Sequence, residues 1–429
     1  MLPRKSGICF LSIFVKTSRK QMPGTVVVIG GGAAGFFGAI TCAEANPSVQ
    51  VILLEKTTKL LSKVRVSGGG RCNVTHACFQ AGPFAQHYPR GHKALKRMLP
   101  HFGAQDTVAW FEKRGVKLKT EPDGRMFPVS NTSETIVDCL LQAAHAAGVQ
   151  IRTGVGVQQI TPSSPHAFAL HLSSGDILAA EKVLIATGGN QKTEQYQWLA
   201  DLGHSVEQPV PSLFTLNVPS SPFKDLQGVS VPKAKVKLTG QKLETEGPLL
   251  ITHWGLSGPA VLRFSAWGAR LLHGQQYTGT ALVNWVPDVP EEQVRQQLLD
   301  IRQSSPRKMV LTNALFGLPN RLWQRLCELA EVPADVKWAE LPGKAQNKLI
   351  ELLIRTPFEV HGKTTFKEEF VTCGGIALPE INLATMESRK IPGLYFAGEV
   401  LDIDGITGGF NFQAAWTGGY LAGKAMAGL

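Results

Sequence analysis

The chain has no Cys-x-x-Cys pair, no His/Cys cluster at metal-ligand spacing, and no apolar run near the ~20 residues a membrane-spanning helix needs. Its seven cysteines, at 9, 42, 72, 78, 139, 327 and 373, are odd in number and scattered. These absences argue against a disulfide framework and a dithiol redox centre. They favour a reducing, cytoplasmic compartment with no membrane partner, and no metal is expected. What is present, 429 residues with 43% hydrophobic content and 44 glycines, fits an α/β enzyme of two or three domains rather than a disordered or fibrous chain.

Negative charge is scarce in one place. Between Lys59 and Lys119 there are twelve Lys and Arg against Asp106 and Glu112, so this segment carries +10 of a total of +11. Residues 1–21 add +5, which leaves the rest slightly acidic. A block of this kind is usually a solvated face. Its asymmetry suggests a polyanion partner, with Phe84, Tyr88, Phe102 and Trp110 available either for stacking on bases or for the core. Residues 1–21 read as a poorly ordered addition: Ile8–Val15 is apolar and flanked by basic residues but has no small-residue cleavage site, and Met22 is the expected functional start.

The chain is organised around Val26-Val27-Val28-Ile29 followed by Gly30-x-Gly32-x-x-Gly35. Four β-branched residues predict a buried parallel strand, and the small residues from Ala33 onward predict a helix. A second apolar strand, Val51–Leu54, ends in Glu55, twenty residues after Gly35, with Lys56 beside it. Gly30 permits the turn, Gly32 admits a pyrophosphate and Gly35 lets helix and strand touch. Ala33 and Ala34 open the helix whose N-terminus faces the phosphates, and Glu55 is placed for ribose hydroxyls. The fold class expected is α/β, a Rossmann-like domain of the two-dinucleotide-binding flavoprotein type.

Three later stretches fit the same ligand. Ser67-Gly68-Gly69-Gly70-Arg71-Cys72-Asn73 is a close-approach loop for flavin carbonyls or phosphate. Val183–Ala186 runs into Thr187-Gly188-Gly189, a second backbone approach. Leu394–Ala397 runs into Gly398-Glu399, with Asp402 following. The turn Gly408-Gly409 then leads through Asn411 and Phe412 into an Ala-rich helix, whose N-terminus faces the pyrimidine edge of a flavin. No second Gly-x-Gly-x-x-Gly follows, so NAD(P)H is expected as a transient reductant without a dedicated domain. From about 205 the texture turns to short strands separated by Pro and Gly. This predicts an inserted small β-barrel or sandwich over about 205–285, of which the barrel is taken as the expectation, with Ser257 as the N-cap of a helix, and a helical part over about 286–352. The nucleotide-binding domain is then discontinuous, 22–204 and 353–429.

These segments together, with Gly124–Pro128 and Thr252-His253-Trp254-Gly255-Leu256-Ser257-Gly258-Pro259, resemble the BaiN/YhiN-like family of bacterial FAD-dependent oxidoreductases from about Val26 to the C-terminus. The resemblance implies FAD lying across Gly30–Gly35, Glu55, Thr187–Gly188 and Gly398–Asp402. It also implies reduction of activated carbon–carbon double bonds: bile-acid enones in one branch, a uridine of large-subunit ribosomal RNA in another.

For the proton that follows hydride transfer, Cys72 and then His253 are the candidates. Arg71 and Arg125 are candidates for an anionic substrate or the flavin N1–O2 edge. Each has a structural alternative: a packed thiol, a helix-start histidine, a salt bridge. The basic segment favours RNA uridine reduction, through residues 59–119, over a steroid-like enone. A flavin-carrying RNA-binding assembly factor without turnover is the reading from another class.

Overall fold

β1 (Thr25–Ile29) is buried along Val26–Ile29, as β-branched residues favour when both faces of a strand are covered. In this computed structural model, which describes residues 24–164, 167–365 and 371–429, it lies inside a seven-stranded sheet. The expected leader, with Cys9 and Met22, lies outside the described residues. β2 (Gln50–Glu55) and the strand Lys182–Ile185 flank β1 in parallel, Val27 facing Ile52 on one side and Val183 on the other. Gln150–Thr153 extends the parallel array beyond β2, and Leu394–Phe396 extends it beyond Lys182–Ile185. A short antiparallel hairpin, Ile381–Asn382 with Glu387–Ser388, forms the other edge.

Both ends of the described chain therefore meet in one sheet. α1 (Ala33–Ala45) lies against the C-terminal helix Phe410–Met426, and the two approach closely where Gly38 faces Gly419. A Cβ on Gly419 would stand 2.6 Å from the Ala34 carbonyl, which only glycine avoids.

The chain leaves this domain along Val206–Ser212 and returns along Val371–Ile376, and these two strands pair antiparallel. Between them a second seven-stranded sheet forms with its own core, in which Trp285, Trp323 and Trp338 are buried. Thr356–His361 pairs with Thr278–Asn284 at one end of this sheet, and Lys363–Thr364 pairs with Thr215–Asn217 at the other. Only Gly362 separates those two strands, so the sheet closes on itself as a barrel. The strands that close it lie beyond residue 352, past the expected limit of the insert. The closing strands had to follow the helices Glu291–Ser304, Asn320–Leu329 and Gly343–Arg355, which share the barrel's core.

A second correction is local. Ser257 does not cap the helix Pro259–Trp267: it pairs with Leu250 in a strand, and Gly258, with φ 91°, takes the cap position ahead of Pro259.

Candidate functional site

β1 and β2 end side by side, at Ile29 and Glu55, and the chain turns between Gly30 and Gly32 into α1. Gly30 has φ 117°, and an added Cβ would overlap the Ala186 carbonyl; one on Gly35 would overlap the carbonyl of Gly30. At Gly32, φ −97°, an added Cβ meets nothing within 4 Å. The space there is a cavity of about 560 Å³, with Gly30, Gly32, Ala33 and Ala34 in its wall. The first-turn N–H groups of α1 have no helical acceptor, and with the helix dipole they make this wall an anion site. Glu55 is fixed beside it: its carboxylate accepts Gly31 N–H at 2.9 Å and both the N–H and hydroxyl of Thr57 at 2.9 Å.

The cavity continues past Thr187, Gly188 and Gly189 at the end of Lys182–Ile185, and past Gly398 and Glu399 after Leu394–Phe396. It reaches Gly408, Gly409, Asn411 and Phe412 at the head of the C-terminal helix. Glu399 is a clamp as well as a wall. One carboxylate oxygen accepts Thr372 N–H at 2.6 Å and the other pairs with Lys63 Nζ at 2.7 Å. Asn73, with its amide turned to satisfy both neighbours, accepts Gly409 N–H at 2.9 Å and donates to the Thr75 carbonyl at 3.0 Å. It ties the glycine loop to the head of the helix.

The inserted domain covers the cavity with Leu213, Thr215, Ser257 and Leu262. Leu213 holds φ 55°, a left-handed conformation that costs a non-glycine residue ~1–2 kcal/mol, at the point where the chain crosses into the barrel. Ile403, Ile406 and Thr407 also line the cavity. Arg125 also faces the cavity, its guanidinium held by Asp123 at 2.7 Å and Glu121 at 3.0 Å.

Several expected residues lie elsewhere. Cys72 is fully buried, outside the cavity wall, and burial pushes its thiol up to about 12. Arg71 pairs with Glu121 at 2.6 Å and covers the Phe127 ring at 4.0 Å. Gly69 and Gly70 turn the chain with φ 69° and 81° but do not reach the cavity; Gly68 and Asn73 of the same loop do. His253 is exposed against Trp254, ring centroids 4.2 Å apart, away from the cavity. Lys56 points to solvent, Gly35 serves helix packing, and Asp402 is drawn to Arg270 of the insert at 3.2 Å. The aromatic residues of the basic segment are not a stacking platform. Phe84, Tyr88 and Phe102 are core, and Trp110 packs on Phe37 under the Arg114 guanidinium. Lys63, Thr215, Leu213 and Leu262 carried no sequence signal. Asn73 and Ser257 sat inside motifs whose pattern does not say which member faces the ligand.

The donor set fits a flavin dinucleotide: a helix N-terminus opened by glycine, a carboxylate at the second strand, three backbone turns and a second helix N-terminus on one elongated cavity. Among the described residues no group of three or more His, Cys, Asp or Glu is arranged to hold a metal, and no helix is long and apolar enough to cross a membrane.

The model of the HI0933-like protein Rossmann domain matches residues 24–425. Over 411 residues the chain is 30% identical to a 3-dehydro-bile acid Δ4,6-reductase of Clostridium scindens, spanning 93% of this chain and 98% of that protein. Over 400 residues it is 32% identical to a ribosomal RNA dihydrouridine synthase of Escherichia coli, spanning 91% and 95%. Among solved structures it is similar in fold to a 3-ketosteroid-Δ4-(5α)-dehydrogenase of Rhodococcus jostii, at 14% identity and a TM-score of 0.51 over 96% of this chain and 99% of that one. With a nucleotide turn, a split Rossmann sheet and a barrel-covered cavity matched over nearly its whole described length, the chain belongs to the HI0933-like family of FAD-dependent oxidoreductases.

Proposed function

We propose that this oxidoreductase reduces a carbonyl-conjugated carbon–carbon double bond, and that the bond belongs to a uracil ring of ribosomal RNA. The observation that carries the choice is the basic segment. Of its twelve cations, five pair with carboxylates: Lys63, Arg65, Arg71, Arg90 and Arg114. The other seven have no ion-pair partner among the described residues, and six of these (Lys59, Lys93, Lys96, Arg97, Lys113 and Lys117) are exposed. Fixed surface charge of one sign, left unneutralised, supports binding to phosphates, where counterion release supplies affinity. The 32% identity to a ribosomal RNA dihydrouridine synthase supports the same reading.

Bound FAD supplies hydride transfer to the electron-poor carbon of such a bond. NAD(P)H is the proposed reductant, so that hydride and one proton add across the double bond as NAD(P)H becomes NAD(P)⁺. The residues proposed to hold the cofactor are Gly30, Gly32, Ala33 and Ala34 at the phosphates and Glu55 at the ribose. Thr187–Gly189, Gly398 and Glu399 would hold its middle, and Gly408, Gly409, Asn411 and Phe412 the ring. Arg125 presents a fixed positive charge to a substrate carbonyl oxygen, which gains negative charge as hydride arrives. Ser257 Oγ has no protein partner among the described residues and lines the same space, so it orients the ring.

Cys72 has no part in this chemistry, because a fully buried thiol outside the cavity has no substrate atom to protonate. Cys72→Ala is expected to keep its flavin and its turnover, with about 1 kcal/mol or more of stability lost from the core. Single-turnover kinetics check this, and a loss of ten-fold or more in rate at full flavin occupancy would restore the thiol as proton donor.

The test of the function is anaerobic. NADPH-reduced protein is mixed with ribosomal RNA lacking dihydrouridine, and flavin reoxidation is followed together with nucleoside mass spectrometry. Reoxidation with formation of dihydrouridine is expected. Reoxidation by small enones alone would transfer the assignment to a steroid-like substrate, which the apolar wall of Leu213, Leu262, Ile403 and Ile406 favours. Binding of RNA with no reoxidation by either would leave a flavin-carrying assembly factor.

A further inference from the structure

We infer that a second cleft, outside the flavin cavity, binds the phosphodiester backbone of the RNA; this rests on the RNA reading above. The cleft, about 350 Å³, lies between the end of the helix His92–Met98 and the loop leading to the edge hairpin of the main sheet. Arg97, His101, Asn382 and Arg389 supply its polar wall, and Leu378 and Ile381 part of its apolar one.

The polar groups are uncommitted. Arg97 and His101 have no side-chain hydrogen bond or ion pair among the described residues. Arg389 gives only Nε to the Ile381 carbonyl at 3.3 Å. Asn382 Oδ1 accepts Ala384 N–H at 3.2 Å, leaving the amide donors open. No Asp or Glu stands in the described wall. The nearest acid along the loop, Glu380, is already taken by Lys390 at 2.6 Å and Ser205 N–H at 3.0 Å. Two guanidiniums converge here from elements far apart in the chain, with a histidine and an amide and without a counter-charge. That is the donor set for a phosphate oxygen pair.

The surroundings select a strand over an isolated anion. Lys93, Lys96 and Arg97 sit at i, i+3 and i+4, so they share one face of the helix that leads into the cleft, and all three are exposed. A run of cations entering the cleft matches the electrostatic half of single-stranded nucleic acid sites, in which a positively charged groove tracks the backbone, and here the aliphatic wall of Leu378 and Ile381 stands where such sites carry an aromatic platform. The cleft thus anchors a flanking nucleotide while the target ring enters the flavin cavity.

The test uses the flavin-loaded full chain and a fluorescently labelled ribosomal RNA hairpin containing uridine. R97Q/R389Q is expected to raise Kd ~10-fold or more near physiological salt and to flatten the salt dependence by ~1.4 log units per log unit, two contacts' worth. The charge-matched pair R307Q/K308Q, on the helical part of the insert, is expected to leave Kd unchanged. Flavin content reports folding for both. Equal weakening by the two pairs, or none by R97Q/R389Q, overturns this inference alone. A raised KM for NADPH with unchanged RNA affinity assigns the cleft to a dinucleotide phosphate and also overturns it. A wild-type protein that binds no RNA overturns both this inference and the RNA reading.

Discussion

Gly32→Leu is expected to give a folded protein that purifies without colour and binds added FAD at least ~100-fold more weakly, a loss of about 2.8 kcal/mol or more. The backbone tolerates the change, because Gly32 has φ −97°, open to any L-residue, and an added Cβ touches nothing within 4 Å. The space is empty because the cavity lies there, and a leucine side chain would occupy the place proposed for a pyrophosphate at the N-terminus of α1. Gly35→Ala has the opposite signature. Its Cβ would overlap the Gly30 carbonyl, so the strand–turn–helix unit itself is disrupted and soluble protein is lost. Circular dichroism, with fluorescence titration of FAD, separates the two outcomes. A yellow Gly32→Leu protein with unchanged affinity would remove the pyrophosphate from this turn.

Asp404→Ala is expected to cost about 3–5 kcal/mol in the first unfolding transition, because it strands a buried arginine. The Asp404 side chain is fully buried and that of Arg90 is 12% exposed. Arg90 Nε donates to Asp404 Oδ1 at 2.5 Å and Nη2 donates to Oδ2, while Nη1 reaches the Ala266 carbonyl of the insert at 2.6 Å. Ser212, at the crossing into the insert, donates to the same carboxylate at 2.9 Å. Burial holds the Asp404 carboxyl above the usual carboxylate range, with the Arg90 guanidinium and Ser212 hydroxyl opposing the rise without cancelling it.

One ion pair therefore joins the basic segment, the insert and the loop that carries Ile403 and Ile406 into the cavity. Losing it is expected to weaken FAD binding as well as stability. R90M/D404V, which removes both charges with little change in summed volume, is expected to recover much of the stability. Urea denaturation of the three proteins measures this. A loss below about 1 kcal/mol in Asp404→Ala would show that the pair holds nothing together.

Much of the site was legible because backbone turns wall the cavity. Gly30, Gly32, Gly188, Gly398 and Gly408 line it through what they lack, and a missing side chain leaves a mark in sequence wherever a turn must leave space open. The basic segment was legible as charge but not as surface. Arg90 and Lys93 are three residues apart, yet one is half-buried against Asp404 and the other stands in solvent. The aromatic residues stayed open between stacking and core for the same reason, since Phe102 and Tyr420 stack at 4.4 Å across more than three hundred residues of chain.

By itself the sequence determined the strand–glycine–helix unit, the acid at the second strand and the late glycine turns, because each is marked by residue types that few local conformations use, whatever distant segment they finally meet. Tertiary structure alone decided which members of each motif face the cavity, and that Asn73 and Lys63 do while Cys72 and Arg71 do not. It also closed the barrel with strands from beyond the helices, and joined Arg90 to Asp404 across 314 positions. Those outcomes depend on where distant segments pack, and neither local propensity nor spacing along the chain encodes the orientation of a side chain relative to a partner that arrives three hundred residues later.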